Sequence, residues 1–242
     1  MVDIPYKRVL IKLSGERLGS ERDPHDPQIL DVKEINRFAD EIIAVHKAGI
    51  EVGLVFGAGN IIRGREAAAA GFEECQAHYM GMLATVINAL AMQSALEQKG
   101  MITRVMSALP VENVAEPYIR RRALRHIEKG RIVIFAGGTG NPYFSTDSAG
   151  ALRAIEMGAN LLVKATKVDG VYTADPFKDP AAKHLERVSY HDVLVDDLKV
   201  MDGAAIALCR ENNMPLMVCS VEEEGSLLKA IQGKAKHTLV AA

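Results

Sequence analysis

Residues 9–15, VLIKLSG, decide the fold class of this chain. The first five letters form a short run of mostly branched apolar residues, typical of a buried strand, and the last two form a small-residue turn. The same arrangement returns at residues 52–59, VGLVFGAG, and at residues 131–140, RIVIFAGGTG. The chain therefore repeats a unit in which a buried strand opens onto a glycine-containing loop.

Segments with apolar residues at helical spacing separate these strands. Repeated alternation of strands and helices implies a largely parallel sheet with helices on both faces, so we expect an α/β fold. The predicted strands are Val9–Leu13, Val52–Phe56, Thr103–Ser107, Arg131–Phe135, Asn160–Lys164 and Pro215–Cys219. The predicted helices are about Asp31–Lys47, His78–Gln98, Glu116–Glu128, Asp147–Glu156, Gly203–Asn212 and Ser226–Gly233.

Composition restricts the function classes. The chain has 242 residues and a formal net charge of −2, which fits one large domain and argues against a general nucleic-acid binder. Its three cysteines form no CxxC pair, so we expect free thiols in a reducing compartment. The N-terminal apolar run is interrupted by Lys12, and no run approaches about 18 apolar residues. We therefore expect a cytoplasmic protein without a signal peptide or membrane span.

The three strand-end loops are candidate phosphate sites. Ligands of parallel sheets collect at the carboxyl ends of the strands, and glycine lets backbone N–H groups approach an anion. Helix N-termini that follow such loops add a favourable dipole. Tight turns also favour glycine, and this alternative stays open for any single loop. The chain has neither the GxxxxGK[ST] nor the GxGxxG pattern, so other residues must supply the charge.

Five charged residues are candidates for catalysis. Lys12 interrupts its apolar strand just before a glycine loop, and Lys164 stands likewise after Leu-Leu-Val. A lysine near a buried strand is costly without an anion, although a lysine that extends to solvent is the alternative. Arg63 offers a planar fork for phosphate oxygens or is a solvated helix-end arginine. Asp147 and Asp202 are the acids available to orient the lysines and a hydrated Mg²⁺ ion.

A resemblance to a known family rests on six motifs. The chain resembles the bacterial uridylate kinases of the amino-acid-kinase superfamily over about residues 7–240. The motifs occur in the family's order and are KLSGE, GAGNIIRG, YMGMLATVINALAMQ, GTGNPYFSTDSA, KATKVDGVYTADP and KVMD. The fourth and fifth motifs distinguish uridylate kinases from carbamate, acetylglutamate and aspartate kinases.

The resemblance implies a three-layer αβα sandwich with a central, mostly parallel sheet, forming a single kinase domain over residues 1–242. It implies a UMP-binding lobe at about residues 1–160 and an ATP-binding lobe at about 161–242. The expected reaction converts ATP and UMP to ADP and UDP with Mg²⁺, in a homohexamer inhibited by UTP. The helix from about His78 has more than one apolar stripe, so it either contacts a partner subunit or is a buried core helix.

The resemblance also assigns binding residues. It implies no metal ligand from the protein itself. The implied ATP-binding residues are Lys12, Leu13, Ser14, Gly15, Gly59, Arg63, Thr166, Tyr172 and Asp175. The implied UMP-binding residues are Ala58, His78, Thr139, Gly140, Asn141, Pro142, Tyr143, Phe144, Ser145 and Thr146. Lys12 and Lys164 are implied charge stabilisers that Asp147 and Asp202 orient.

Three departures from the family pattern concern regulation and the acceptor site. Ala58 stands where the family usually has glycine, and its backbone N–H remains available. His78 stands where the family commonly has an aspartate that binds the ribose, and an imidazole can also bond a hydroxyl. The segment Gly19–Pro27 lacks the glycine-rich sequence that many relatives use for GTP activation, which argues against GTP activation and leaves the question open.

Two other functions remain open at this point. A small-acid kinase of the same superfamily would phosphorylate a carbamate or carboxylate. A uridine-nucleotide sensor would bind nucleotides without turnover, since a fold alone does not fix function. Nucleic-acid binding is not expected as the main role.

Overall fold

The computed structural model describes residues 5–19, 28–174, 176, 178–179 and 181–242. Most of the Gly19–Pro27 segment lies outside these ranges, as does Asp175, one of the residues expected at the ATP site. The strands are β1 Arg8–Leu13, β2 Glu51–Phe56, β3 Thr103–Ser107, β4 Glu116–Pro117, β5 Ile132–Ala136, β6 Leu161–Thr166, β7 Val171–Tyr172, β8 His184–Leu185, β9 Arg187–Ser189, β10 Leu216–Ser220 and β11 His237–Ala241. The helices are α1 Val32–Lys47, α2 Gly64–Ala69, α3 Glu74–Gln98, α4 Arg120–Glu128, α5 Thr146–Glu156, α6 Tyr190–Val195, α7 Gly203–Glu211 and α8 Ser226–Ile231, with a short 3-10 helix at Gly15–Leu18.

Nine strands form one sheet in the order β4-β3-β5-β2-β1-β6-β10-β11-β9. Neighbouring strands run parallel except for the antiparallel pair β10 and β11. The strands β7 and β8 form a separate antiparallel hairpin. Helices cover both faces of the sheet, and the three-layer αβα sandwich with a mostly parallel sheet is confirmed.

Two hydrophobic clusters separate the faces of the sheet. Successive strand side chains point to opposite sides, so Ile11 packs in the cluster of α1, α3 and α8. Leu10 packs instead in the cluster of α4, α5 and α7. By this alternation Lys12 lies on the same side as Leu10, beneath α5. A Cβ on Gly150 of α5 would lie 3.5 Å from Cβ of Lys12, which shows how closely the helix covers this lysine.

Some predicted boundaries were wrong for local reasons. The helix expected from Glu116 begins at Arg120, because Glu116 and Pro117 pair with β3 as the edge strand β4. A residue before proline disfavours the helical region, which keeps Glu116 extended. The helix expected from about His78 begins at Glu74, because the Glu73 carboxylate accepts hydrogen bonds from the first N–H groups of α3.

The helix α3 is long and apolar enough to cross a membrane by length and composition. In the fold, however, half of its most apolar stretch is buried, and the helix lies against α1, α2 and the strands β2, β3 and β5. Of its apolar residues, Tyr79, Leu83 and Ile87 stay exposed on one side. The helix thus has one face in the core and a second apolar face at the surface.

Candidate active site

A cavity of about 480 Å³ opens at the carboxyl ends of β1, β2 and β5. These ends meet at one edge because the three strands are parallel neighbours. Of the predicted site residues, the cavity is lined by Lys12, Ser14, Ala58, Gly59, Arg63, His78, Tyr143, Phe144, Ser145, Thr146, Asp147 and Asp202. The predicted residues that lie outside this lining are Leu13, Gly15, Thr139, Gly140, Asn141, Pro142, Lys164, Thr166 and Tyr172.

Two lysines converge on one carboxylate at the inner end of this cavity. Lys12 of β1 and Lys164 of β6 are register partners on adjacent parallel strands, so their side chains leave the sheet side by side. Asp147 lies three residues before Gly150 on α5, on the helix face that covers Lys12. Its Oδ1 lies 2.7 Å from Nζ of Lys12, and its Oδ2 lies 3.0 Å from Nζ of Lys164.

Burial and charge shift the pKa values of this cluster. Burial alone would raise the pKa of Asp147, but the two nearby ammonium groups outweigh it and leave the pKa below the ordinary value. Burial lowers the pKa of Lys164, and the Lys12 charge adds to this, against the opposing attraction of Asp147. The ammonium of Lys164 also donates to the carbonyl of Val200 at 2.5 Å.

The lowered pKa of Lys164 predicts an early alkaline limit to activity. If the charge of Lys164 is needed, activity must fall as pH rises through a pKa below the ordinary lysine value of 10.5. A pH profile of kcat measures this limb. Lys164→Arg keeps its charge at high pH, so the activity that remains in this variant should not fall in the same alkaline range. An alkaline limb at or above 10.5 in the unaltered protein contradicts the prediction.

Asp202 makes its hydrogen bonds to groups other than the lysines, while its charge also raises the pKa of Lys164 against the effect of burial. Its carboxylate accepts hydrogen bonds from the hydroxyls of Ser145 and Ser148, at 3.0 Å for Ser148, and from the backbone N–H of Ala205. Ser145 in turn caps α5 by accepting from the N–H groups of Asp147 and Ser148. Asp202 therefore holds the first turn of α5, which carries Asp147, and its hydrogen bonds do not go to the lysines.

Arg63 already has two carboxylate partners. Its guanidinium pairs with Glu16 of the first loop and with Glu66 of α2, the latter at 2.8 Å. Its side chain is 48% exposed, so solvent screens both pairs. An anion bound at Arg63 has to compete with these glutamates. Glu16 was not predicted, although its place in KLSGE next to the glycine loop was a usable signal.

The third loop lines the cavity at Gly138 and again at residues 143–146. Tyr143 adopts the left-handed backbone region with φ of 69°, which is uncommon for a residue other than glycine, and its side chain is exposed. The ring lies 5.0 Å, centroid to centroid, from the ring of His78 on α3. Both side chains line the cavity and form an aromatic wall there.

Tyr172 belongs to a separate polar cluster on the β7–β8 hairpin. Its hydroxyl donates to Asp169 at 2.6 Å and accepts from Lys236 at 2.9 Å, and Lys236 also pairs with Asp169. The ring of His184 lies edge-on to the Tyr172 ring. Sequence reasoning missed this cluster because its members come from three segments separated by many residues.

Comparisons with known proteins identify the family of this chain and agree with its fold. A model of the amino acid kinase family matches residues 7–220. The uridylate kinase of Methylococcus capsulatus is 54% identical over 233 residues, which cover 96% of each chain. UMP kinase from Ureaplasma parvum superposes with a TM-score of 0.92 at 36% identity, over 98% of this chain and 99% of that one. UMP kinase from Bacillus anthracis gives 0.91 at 40% identity, over 98% and 96%. The chain therefore belongs to the amino acid kinase family, and its similarity is to the uridylate kinases within that family.

Proposed function

We propose that this chain is a uridylate kinase that transfers the γ-phosphoryl group of ATP to UMP, giving ADP and UDP for UTP and CTP synthesis. The observation that carries the proposal is the buried cluster of Lys12, Asp147 and Lys164 beside the cavity. Phosphoryl transfer needs alignment and cations more than covalent chemistry from the protein. The 54% identity to a protein named uridylate kinase supports UMP as the acceptor.

The cluster has a net positive charge suited to a moving phosphoryl group. Two ammonium groups share one carboxylate, so one positive charge is left for the phosphate oxygens. Lys12 lines the cavity and is the direct charge stabiliser, while Lys164 supports it from the neighbouring strand. Asp147 fixes both ammonium groups in place, so they need no reorganisation as charge moves.

The ATP site is assigned to both halves of the chain, and the UMP site to the first half. Lys12, Ser14 and Gly15 hold ATP phosphates, with Gly59 and Arg63 beside them. Residues 161–242, which include Thr166 and Tyr172, form the rest of the ATP lobe. Residues up to about 160 form the UMP lobe, where Ala58, His78 and the segment 139–146 surround the acceptor. The aromatic wall of His78 and Tyr143 supports the binding of a nucleoside in this acceptor site.

Magnesium fits this site as an ion brought by ATP. Among the described residues, no group of three His, Cys, Asp or Glu side chains is placed to hold a metal. The carboxylates of Asp147 and Asp202 line the cavity, where Asp147 pairs with Lys12 and Lys164 and Asp202 accepts from Ser145 and Ser148. Mg²⁺ keeps several waters and binds through substrate phosphates with one or two carboxylates, so these acids suit its hydrated shell. The ion, when bound, neutralises phosphate charge.

A coupled assay of ADP release tests the proposed reaction. The protein is offered UMP, CMP, dTMP, carbamate and acetylglutamate in turn, each with ATP and Mg²⁺. Release of ADP with UMP is the expected result. ADP with acetylglutamate or carbamate but not with UMP would point to a small-acid kinase. Tight UTP binding without any turnover would point to a nucleotide sensor.

Self-association is part of the proposal, with a homohexamer as the expected form. Tyr79, Leu83 and Ile87 recur every four residues along α3 and are 37%, 47% and 48% exposed. Such an exposed apolar strip supports burial against a second copy of the chain.

Leu83→Glu is therefore expected to dissociate the assembly, because it places a charge in an apolar interface. Light scattering should show the mass falling toward the 26.2 kDa of one chain. Val195→Glu is the matched control, since Val195 is an exposed apolar residue at another site. A single-chain mass for the unaltered protein would overturn the oligomer.

UTP inhibition and a cytoplasmic location complete the proposal. A uridine nucleotide with more phosphates suits the same acceptor loops and cations, which supports competition by UTP. Cys75, Cys209 and Cys219 are free thiols, as expected of a protein kept in a reducing compartment. The coupled assay repeated with added UTP tests the inhibition.

A further inference from the structure

Two polar side chains are buried on the inner face of α3. Asn88 is fully buried and Thr85 is 3% exposed, in a helix that is otherwise largely apolar. Buried polar groups are retained where they have hydrogen-bond partners. The partners of both residues lie in the glycine loops beside the cavity, and neither residue belongs to the set predicted from the sequence.

Asn88 holds the loop that follows β2. Its Nδ2 donates to the carbonyl of Gly57 at 2.7 Å and to Oδ1 of Asn60 at 2.9 Å. In return, Nδ2 of Asn60 donates to Oδ1 of Asn88 at 3.0 Å and to the carbonyl of Ile29 at 2.8 Å. The two amides thus form a reciprocal pair that fixes this loop to the middle of α3.

The loop that follows β1 rests on the same pair. A Cβ added to Gly15 would collide with the carbonyl of Gly57 and would lie 2.6 Å from Oδ1 of Asn60. Glycine is therefore required there by close approach. The backbone N–H of Gly57 also bonds the carbonyl of Leu13. The position of the first loop, which begins just after Lys12, consequently depends on the second loop.

Thr85 anchors the third loop from one turn earlier on α3. Its hydroxyl donates to the carbonyl of Met82 at 2.6 Å and accepts from the N–H of Gly137 at 2.8 Å. One face of one helix therefore contacts the loops after β2 and β5 directly, and the loop after β1 through them.

We propose that Asn88 is a positioning residue that sets the distance between the donor-phosphate loop after β1 and the loop after β2. The inference rests on the proposed kinase function, in which these loops hold the two nucleotides. Asn88 itself acts through Gly57 and Asn60 and does not line the cavity. Small displacements of reacting groups reduce turnover strongly, so its loss should affect catalysis more than folding.

The test compares Asn88→Ala with Met92→Ala. Met92 is fully buried one turn further along the same face and packs in the apolar core, so its loss destabilises without touching the loop contacts. We expect Asn88→Ala to lower kcat about 100-fold. Added ATP should also raise the Tm of this variant less than it raises the Tm of the unaltered protein. Met92→Ala should lower Tm but keep wild-type kcat and ATP protection at temperatures where it is folded.

Asn60→Ala removes the same amide pair from the loop side. This variant tests the positioning role if Asn88→Ala fails to fold. A lower kcat in Asn60→Ala supports the inference. Wild-type kcat and ATP protection in Asn88→Ala, or in Asn60→Ala when only that variant folds, would overturn it. If the unaltered protein phosphorylates no UMP, the proposed function is wrong. The positioning role is then tested by comparing the rise in Tm that ATP causes in the variants with the rise in the unaltered protein.

Discussion

Replacing Lys12 by alanine is expected to lower kcat about 100- to 1,000-fold, the range for losing one preorganised charge that stabilises a transition state. Lys12 is buried at the inner end of the cavity, with Asp147 holding its ammonium. The KM for UMP should change little, because the charge matters most while the phosphoryl group moves between oxygens. Steady-state kinetics with ATP and UMP varied in turn measure both effects.

Two variants control this prediction. Lys7→Ala removes an exposed lysine before the same strand and should leave kcat unchanged. Lys12→Arg keeps the charge, but a planar guanidinium cannot take the place of the compact ammonium at Asp147 without rearrangement, so its kcat should be intermediate. Unchanged turnover in Lys12→Ala would remove Lys12 from the catalytic set.

The parallel sheet was predictable because its strands carry strong local signals. β1, β2 and β5 are short, mostly apolar runs that lead into glycine-containing loops, which suits strands buried on both faces. The strand β11 was missed because it alternates buried and half-buried residues and comes only a few residues after the helix α8. The strand β4 was missed because two residues cannot show a period, and only the tertiary pairing with β3 defines it.

The candidate site was predictable as a set of residue types but not as an arrangement. Both lysines stood out because each interrupts an apolar strand. The two lysines come side by side only because β6 pairs with β1. That pairing joins strands separated by about 150 residues, which no local pattern encodes. The same holds for Asp202, whose contact with Ser145 joins two helix N-termini from distant parts of the chain.

The outward face of α3 could not be assigned from the sequence for a different reason. Its apolar residues follow the helical period on both sides, so the sequence left a buried helix and a subunit contact as equal alternatives. The fold buries one side, which includes Met82 and Met92, and leaves Leu83 at the surface. Asn88 could have been noticed as a polar residue on the buried side of that helix.

Asp147→Asn is expected to have the second large effect, on both turnover and stability. The change keeps the shape of the side chain but removes the carboxylate charge that pairs with both buried ammonium groups, those of Lys12 and Lys164. Removing one partner of a buried ion pair destabilises by about 3–5 kcal/mol. The repulsion between the two lysines should also favour deprotonation of Lys164, whose pKa burial already lowers. We expect kcat to fall about 100- to 1,000-fold, as for loss of a preorganised charge.

The pH dependence of stability separates this charge effect from a simple loss of side-chain contacts. Because the folded pKa of Asp147 lies below its ordinary value of 3.8, its contribution is full above that value and is lost as pH falls through the folded pKa. The difference in unfolding free energy between wild type and Asp147→Asn, measured in urea, should therefore be constant near neutral pH and shrink at acidic pH. Asp197→Asn is the matched control, since Asp197 pairs with Lys199 in full solvent and such pairs contribute little. A stability difference that persists unchanged below the folded pKa would mean that Asp147 acts through shape, and the buried-charge account of this site would fail.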